Sequence, residues 1–197
     1  VPSEPCPWPP PVQSRVVKIY TRRGDDGSTG LFHGGRVSKD ESGPEAYGTV
    51  DEAVSALGVA RAAATGVLHD RILEVQRELF VIAAELATAA DKRGMLTAGT
   101  TLATGEMVAR LEERIDLVEA ETGLPTEFVV PGGSSAAAAL DLARSITRRA
   151  ERRAVAHTRT GGVEDSFVVP YLNRLADYLY VLARSAEGTW VPSKRED

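Results

Sequence analysis

Apolar residues recur at three- and four-residue intervals in five stretches of this chain. Val50, Ala53, Val54, Leu57 and Ala60 share one face of a helix predicted over 45–64. Ile72, Val75, Leu79, Ile82 and Leu86 do the same over 68–90. After the break "KRGMLTAGTT", Thr101 is expected to N-cap a third helix over 102–121. The segment "TGLPTEFVVPGGSS" interrupts the pattern, a fourth helix covers 135–156, and the glycine-rich "TRTGGVEDS" leads to a fifth over 167–187. Strand signal is confined to short pieces near 16–20 and 128–130. The pattern predicts an all-α fold, a five-helix bundle with a four-helix-bundle-like core. An N-terminal glycine-rich loop precedes it, and a proline-rich arm, expected to be disordered, precedes the loop.

Composition narrows the class. With 197 residues, 43% of them hydrophobic, the chain suits one compact domain with its own core. Lys plus Arg number 23 against 28 Asp plus Glu, a net charge of -5, which argues against general nucleic-acid binding. The single cysteine, Cys6, excludes a disulfide framework and any CxxC metal site. No run approaches the ~20 apolar residues that cross a bilayer, so no membrane partner is expected and the cytoplasm is the default compartment. Secretory and transit patterns are lacking in "VPSEPCPWPPPVQS".

Charge placement changes the picture. The strip "KIYTRRGDDGSTGLFHGGRVSK" is too polar for a core strand, too rich in glycine for a helix, and suited to wrapping an anion. The fourth helix holds five arginines between Arg144 and Arg153. At roughly 100° per residue, Arg144, Arg148, Glu151 and Arg152 fall on one stripe, Arg149 and Arg153 point elsewhere, and Ala136, Ala139, Ala143, Ala150 and Ala154 form a small-residue face. A solvated face with intrahelical Glu–Arg pairs is one reading. An oligophosphate seated between guanidinium forks is the other. On the fifth helix Asn173, Asp177, Tyr180 and Arg184 align opposite a leucine seam, and the Asn173 amide faces either water or a ligand. Asp51, Ser55, Gly58 and Ala62 make a small-residue face on the first helix that admits close approach of another helix. P-loop, GxGxxG, GxSxG and di-iron patterns are absent.

Five blocks in order, "YTRRGDDGSTGLFHGGRVSKD", "EAYGTVDEAVSALGVAR", "FVVPGG", "ARSITRRAERRA" and "YLNRLADYLYVLAR", resemble the PduO-type ATP:corrinoid adenosyltransferases over nearly the whole folded chain. The resemblance implies transfer of the 5′-deoxyadenosyl group of ATP to the cobalt of cob(I)alamin, giving adenosylcobalamin and triphosphate. It implies a homotrimer with active sites between subunits. Residues 18–44 become a nucleotide-binding loop, 45–190 the adenosyltransferase bundle, and 191–197 a C-terminal tail.

By matching motif positions, Thr21, Arg22, Arg23, Gly24, Thr29, Gly30 and Lys39 would surround ATP, with Arg148, Arg149, Ala150, Glu151, Arg152 and Asn173 on the helix side. Lys39 and Arg148 would carry the catalytic role of stabilising charge on the leaving triphosphate. Phe128 would lie beside cobalamin, helping to exclude the lower axial ligand; as plain core at a loop edge it would be unremarked. Asp51 and Arg144 would form an intersubunit ion pair, and Glu45 matches an acid near Mg²⁺, without a certain protein ligand for the metal. The product would pass to an adenosylcobalamin-dependent enzyme. Two departures stand out: relatives read DELNS where this chain has DEAVS, and "LH" at Leu140-Asp141. The competing class is a noncatalytic ATP- or corrinoid-binding protein that regulates or delivers cofactor.

Overall fold

The computed structural model describes residues 19–194, so the whole proline-rich arm, residues 1–17, lies outside the described residues. Five α-helices follow a two-stranded hairpin: α1 Ser42–Ala62, α2 Gly66–Leu86, α3 Gly105–Thr122, α4 Ser135–Arg159 and α5 Val168–Ser185. The hairpin pairs β1 Ser28–Gly30 with β2 Arg36–Ser38 antiparallel, Thr29 opposite Val37. The strip expected to be an irregular loop is therefore partly ordered by its own backbone ladder.

Helix boundaries moved where local turns outcompeted periodicity. Helix α2 stops at Leu86, and a short 3₁₀ helix, Ala90–Met95, takes over part of the connection. Thr101 does not cap α3. Its hydroxyl accepts from Thr97 N at 2.8 Å inside the preceding turn, and Thr104 occupies the N-cap before Gly105. Ser134 caps α4 by accepting from Ala137 N at 3.1 Å. Pro170 falls in the first turn of α5, where its missing N–H costs no helical bond. Of the two strand signals, 16–18 lie outside the described residues, and Ile19 and Tyr20 are exposed without ladder partners. Segment 128–130 makes a single antiparallel bridge, Val129 to Pro192.

Helix α1 packs on α4 and α2, α4 on α5, and α3 on α5. The alanines of α4 explain the first contact. Ala139, Ala143, Ala150 and Ala154 are buried against the α1 face of Ala46, Val50, Ala53, Leu57 and Ala60, and side chains this small let the backbones approach. Each leucine or isoleucine sealed beneath them, such as Leu57, Ile72 or Leu79, contributes about 1.5–3 kcal/mol. Cross-helix pairs fix an antiparallel register: Ser42 to His157, Glu45 to Arg153, Glu52 to Arg149. Buried Glu85 joins three connections, accepting from Arg93 at 2.8 Å, Ala103 N at 2.7 Å and Ser166 at 2.6 Å. Among the described residues no helix is long and apolar enough to cross a membrane.

Candidate active site

The hairpin is organised around two cations. Arg36 donates to Ser28 Oγ and to the Arg23 carbonyl, and Asp26 accepts from Ser28 N at 2.9 Å and Ser28 Oγ at 2.7 Å. Those two bonds, the hydroxyl's first, hold the Asp26 carboxyl below its usual range, with Arg36 adding to them. Lys39 Nζ donates to Gly24 O at 2.7 Å, so the ammonium stands at the mouth of the turn. A Cβ on Gly24 would lie 3.1 Å from Ser28 O and 3.2 Å from Lys39 Nζ, which explains glycine there. Thr21, Arg22 and Arg23 are exposed before the turn, and Thr29 and Gly30 form β1. The far end docks on the bundle: Phe32 N donates to Ala87 O at 2.9 Å, and Lys92 Nζ to His33 O at 3.0 Å.

The arginine helix divides its charges. Arg149 and Arg153, which lie off the Arg148 stripe, reach across to Glu52 and Glu45 on α1. Arg148 and Arg152 are exposed, and among the described residues neither meets a carboxylate within salt-bridge distance. Glu151 between them accepts from Asn173 Nδ2 at 3.0 Å, which joins α4 to α5 on that face. Ala150 is fully buried on the packing side, so its side chain is a spacer and cannot line a nucleotide pocket. No hydrogen bond or ion pair among the described residues connects the hairpin to Arg148, Arg152 or Asn173.

Asp51 and Arg144 do not meet within one chain. The α1–α4 register places Arg144 level with Ala56, on the side facing α5, where its guanidinium lies 5.5 Å from the Tyr180 ring centre. Asp51 is exposed, as are Ser55 and Ala62, so the small-residue face of α1 is uncovered by this chain.

Phe128 is 87% exposed and is no part of the core. It rims two hollows, one of about 420 Å³ with Tyr180 and Ser193, the other of about 430 Å³ with Leu124, Trp190 and Pro192. With exposed Val130 and Val191 beside it, Phe128 forms a bare apolar patch on the surface. Near the end of α5, outside the lining of either hollow, lies a cluster that periodicity did not reveal. Arg184 is 1% exposed; it donates to Asp141 and stands 3.4 Å from Glu187. Burial pushes the Asp141 carboxyl up, while Arg184 pulls it back. Arg184 therefore leaves the solvated polar line to which Asn173 and Asp177 belong. The acid in the sequence that hinted at this was Asp141, but only tertiary contact could couple it to a residue 43 positions away.

Among the described residues no three His, Cys, Asp or Glu side chains converge to hold a metal, and the Glu45 carboxylate is engaged by Arg153 at 3.1 Å.

The fold and site define a helical bundle that sets a cationic hairpin, an arginine-bearing helix face and an aromatic-rimmed hollow on its surface. The family described as cobalamin adenosyltransferase matches residues 19–186, and the chain belongs to it. It is 43% identical over 175 residues to a corrinoid adenosyltransferase of Citrobacter freundii, covering 88% of this chain and 97% of the relative. A corrinoid adenosyltransferase of Bacillus subtilis (strain 168) is 42% identical over 173 residues, covering 85% and 86%. A variant PduO-type ATP:corrinoid adenosyltransferase from Lactobacillus reuteri, complexed with cobalamin and ATP, superposes with a TM-score of 0.77 at 34% identity, covering 86% of this chain and 90% of that one.

Proposed function

We propose that this protein transfers the 5′-deoxyadenosyl group of ATP to the cobalt of reduced cob(I)alamin. The cobalt–carbon bond forms as the bond from C5′ to the triphosphate oxygen breaks. The cobalt supplies the electron pair, and triphosphate leaves with the pair from the broken bond. The nucleophile belongs to the substrate, so the chain needs no activated serine or cysteine. Its work is positioning and charge stabilisation.

Thr21, Arg22, Arg23, Gly24, Thr29 and Gly30 wrap the nucleotide, and Lys39 and Arg148 face the leaving triphosphate with Arg152 beside them. Asn173 and Glu151 close the helix side, while Arg149, committed to Glu52, has the lesser share. Mg²⁺ on the phosphates, with Glu45 as the nearest motif carboxylate, would supply further neutralisation. Phe128 lies against the corrin and displaces the lower axial ligand. The bare face around Asp51 supports assembly as a homotrimer, in which Asp51 of one subunit pairs with Arg144 of the next. The hairpin of one subunit would then complete the Arg148 face of its neighbour, which accounts for the lack of contact between the two inside one chain. The cytoplasm is the compartment of this reaction, and an adenosylcobalamin-dependent enzyme the consumer of its product.

The observation that carries the reading is the family match across residues 19–186, which includes both the cationic hairpin and the bare Phe128. An anaerobic assay with ATP and cob(I)alamin, following the absorption change to adenosylcobalamin, tests it. Tight binding of both substrates without that change would make the protein a carrier instead. For the assembly, Asp51→Arg combined with Arg144→Asp should restore trimers lost by either change alone, read by sedimentation.

A further inference from the structure

Phe128 sits on a segment that burial does not hold. Phe128, Val130 and Val191 are all exposed, yet the segment follows a defined path. Its anchors are hydrogen bonds to the C-terminal tail: Val130 N donates to Val191 O at 2.8 Å, and Ser193 N to Phe128 O at 2.8 Å. The tail in turn is tied to the end of α5. Trp190 Nε1 donates to Arg184 O at 3.2 Å, and Glu187 Oε1 accepts from Gly133 N at 3.1 Å. Ser134 Oγ donates to Ala186 O at 2.9 Å while capping α4. A Cβ on Gly133 would lie 3.0–3.1 Å from the Glu187 side chain, so this approach admits only glycine without displacement.

Two of these ties meet residues of one buried charge cluster, Asp141, Arg184 and Glu187: Gly133 N bonds the Glu187 carboxylate, and Trp190 bonds the Arg184 carbonyl. Buried ion groups seldom add stability over an apolar filling of equal volume. What they impose is direction, because each guanidinium and carboxylate must meet its partner in one geometry. Here that geometry bears on where the chain leaves α5, since Glu187 lies two residues past Ser185, the last residue of that helix. The same Arg184 guanidinium lies 5.3 Å from the Tyr180 ring centre, with that of Arg144 5.5 Å from it, and Tyr180 and Phe128 both line the 420 Å³ hollow.

We propose that Asp141, Arg184 and Glu187 are positioning residues that hold Phe128 and Tyr180 at the spacing the corrin requires, acting through the tail at 187–193. The inference rests on the reading of Phe128 as the corrin contact. It also gives a reason for the acid at position 141: it is the buried counter-charge of Arg184.

The test uses the full chain with Asp141→Asn, which keeps the shape and removes the charge. Amide exchange at Val130 and Ser193 should accelerate about tenfold or more while the core amides of Leu79 and Ile82 keep their protection. The KM for cobalamin should rise about tenfold, with the KM for ATP unchanged. Unchanged exchange at Val130 and Ser193, or an equal loss at Leu79 and Ile82, overturns the proposal. If Asp141→Asn fails to fold, Glu187→Gln, which keeps the shape and the acceptor for Gly133 N but removes the charge facing Arg184, carries the same expectations. Phe128→Ala separates the two readings. If it raises the cobalamin KM while Asp141→Asn loosens the segment without doing so, the positioning role is wrong. If neither raises that KM but the segment loosens, the anchor stands and the corrin reading of Phe128 fails.

Discussion

Arg184 and Arg148 lie on neighbouring helices and meet opposite fates. Arg184 is sealed from water and held by two carboxylates, whereas Arg148 stands in solvent without an acidic partner among the described residues. A buried guanidinium loses its hydration, so the fold must return that free energy through Asp141 and Glu187. A hydrated guanidinium demands nothing of the fold, and its charge is left for a ligand. The same side chain thus joins helix ends in one place and stays free to meet an anion in the other, and burial decides which.

The contrast breaks first at Arg184. Replacing it with alanine strands two neighbouring acids in the interior and should cost about 3–5 kcal/mol in urea unfolding, while Arg148→Ala should stay within about 0.5 kcal/mol of the parent. Similar losses for both would erase the distinction.

Tyr178 sharpens it with a buried polar group that has no hydrogen-bond partner among the described residues. Its hydroxyl is fully enclosed and unbonded, and burial pushes its pKa from 10 up to about 12. The folded state therefore holds the proton more tightly than the unfolded chain, so this contribution is complete below pH 10 and is lost as pH rises through 12. A shift of this size corresponds to about 2–3 kcal/mol. Tyr178→Phe should make that alkaline decline shallower, the remainder coming from Tyr171, whose phenol burial also pushes up, and cost little near neutrality, since no hydrogen bond is forfeited. Unfolding curves from pH 8 to 12 check this, and a slope equal to the parent's would remove the Tyr178 phenol as a source.

On the exposed side, Arg148→Ala should lower kcat/KM for ATP roughly tenfold to hundredfold through loss of a charge-assisted contact worth about 1.5–3 kcal/mol. Steady-state kinetics at saturating corrinoid check this, and unaltered values would remove Arg148 from the site. The smallest effect is expected at Arg149, whose exposed pair with Glu52 contributes at most about 1 kcal/mol to stability. Arg149→Ala should change ATP kinetics less than Arg148→Ala does. The reverse order would mean that the Glu52 pair opens in the working enzyme.

Periodicity located all five helices because each buries a continuous apolar face, and that face is written locally. It also separated Arg149 and Arg153 from the Arg148 stripe, since angle around a helix follows from position alone. Thr101 misled because a side-chain cap depends on which of several nearby turns closes, and its hydroxyl closed the earlier one onto Thr97 N. The hairpin was hidden because Ser28–Gly30 and Arg36–Ser38 are short and polar; their ladder is held by Arg36 and Lys39 and not by an apolar face.

The sequence by itself determined the helical class, the faces that pack, and the cationic character of the strip and of α4, because these depend on spacing within a single element. Tertiary structure alone decided that Arg184 is buried, that Asp141 and Glu187 neutralise it, and that Phe128 is bare and tethered to the tail. Those properties arise between residues far apart in the chain, where desolvation and partner geometry act together and no local pattern records the outcome.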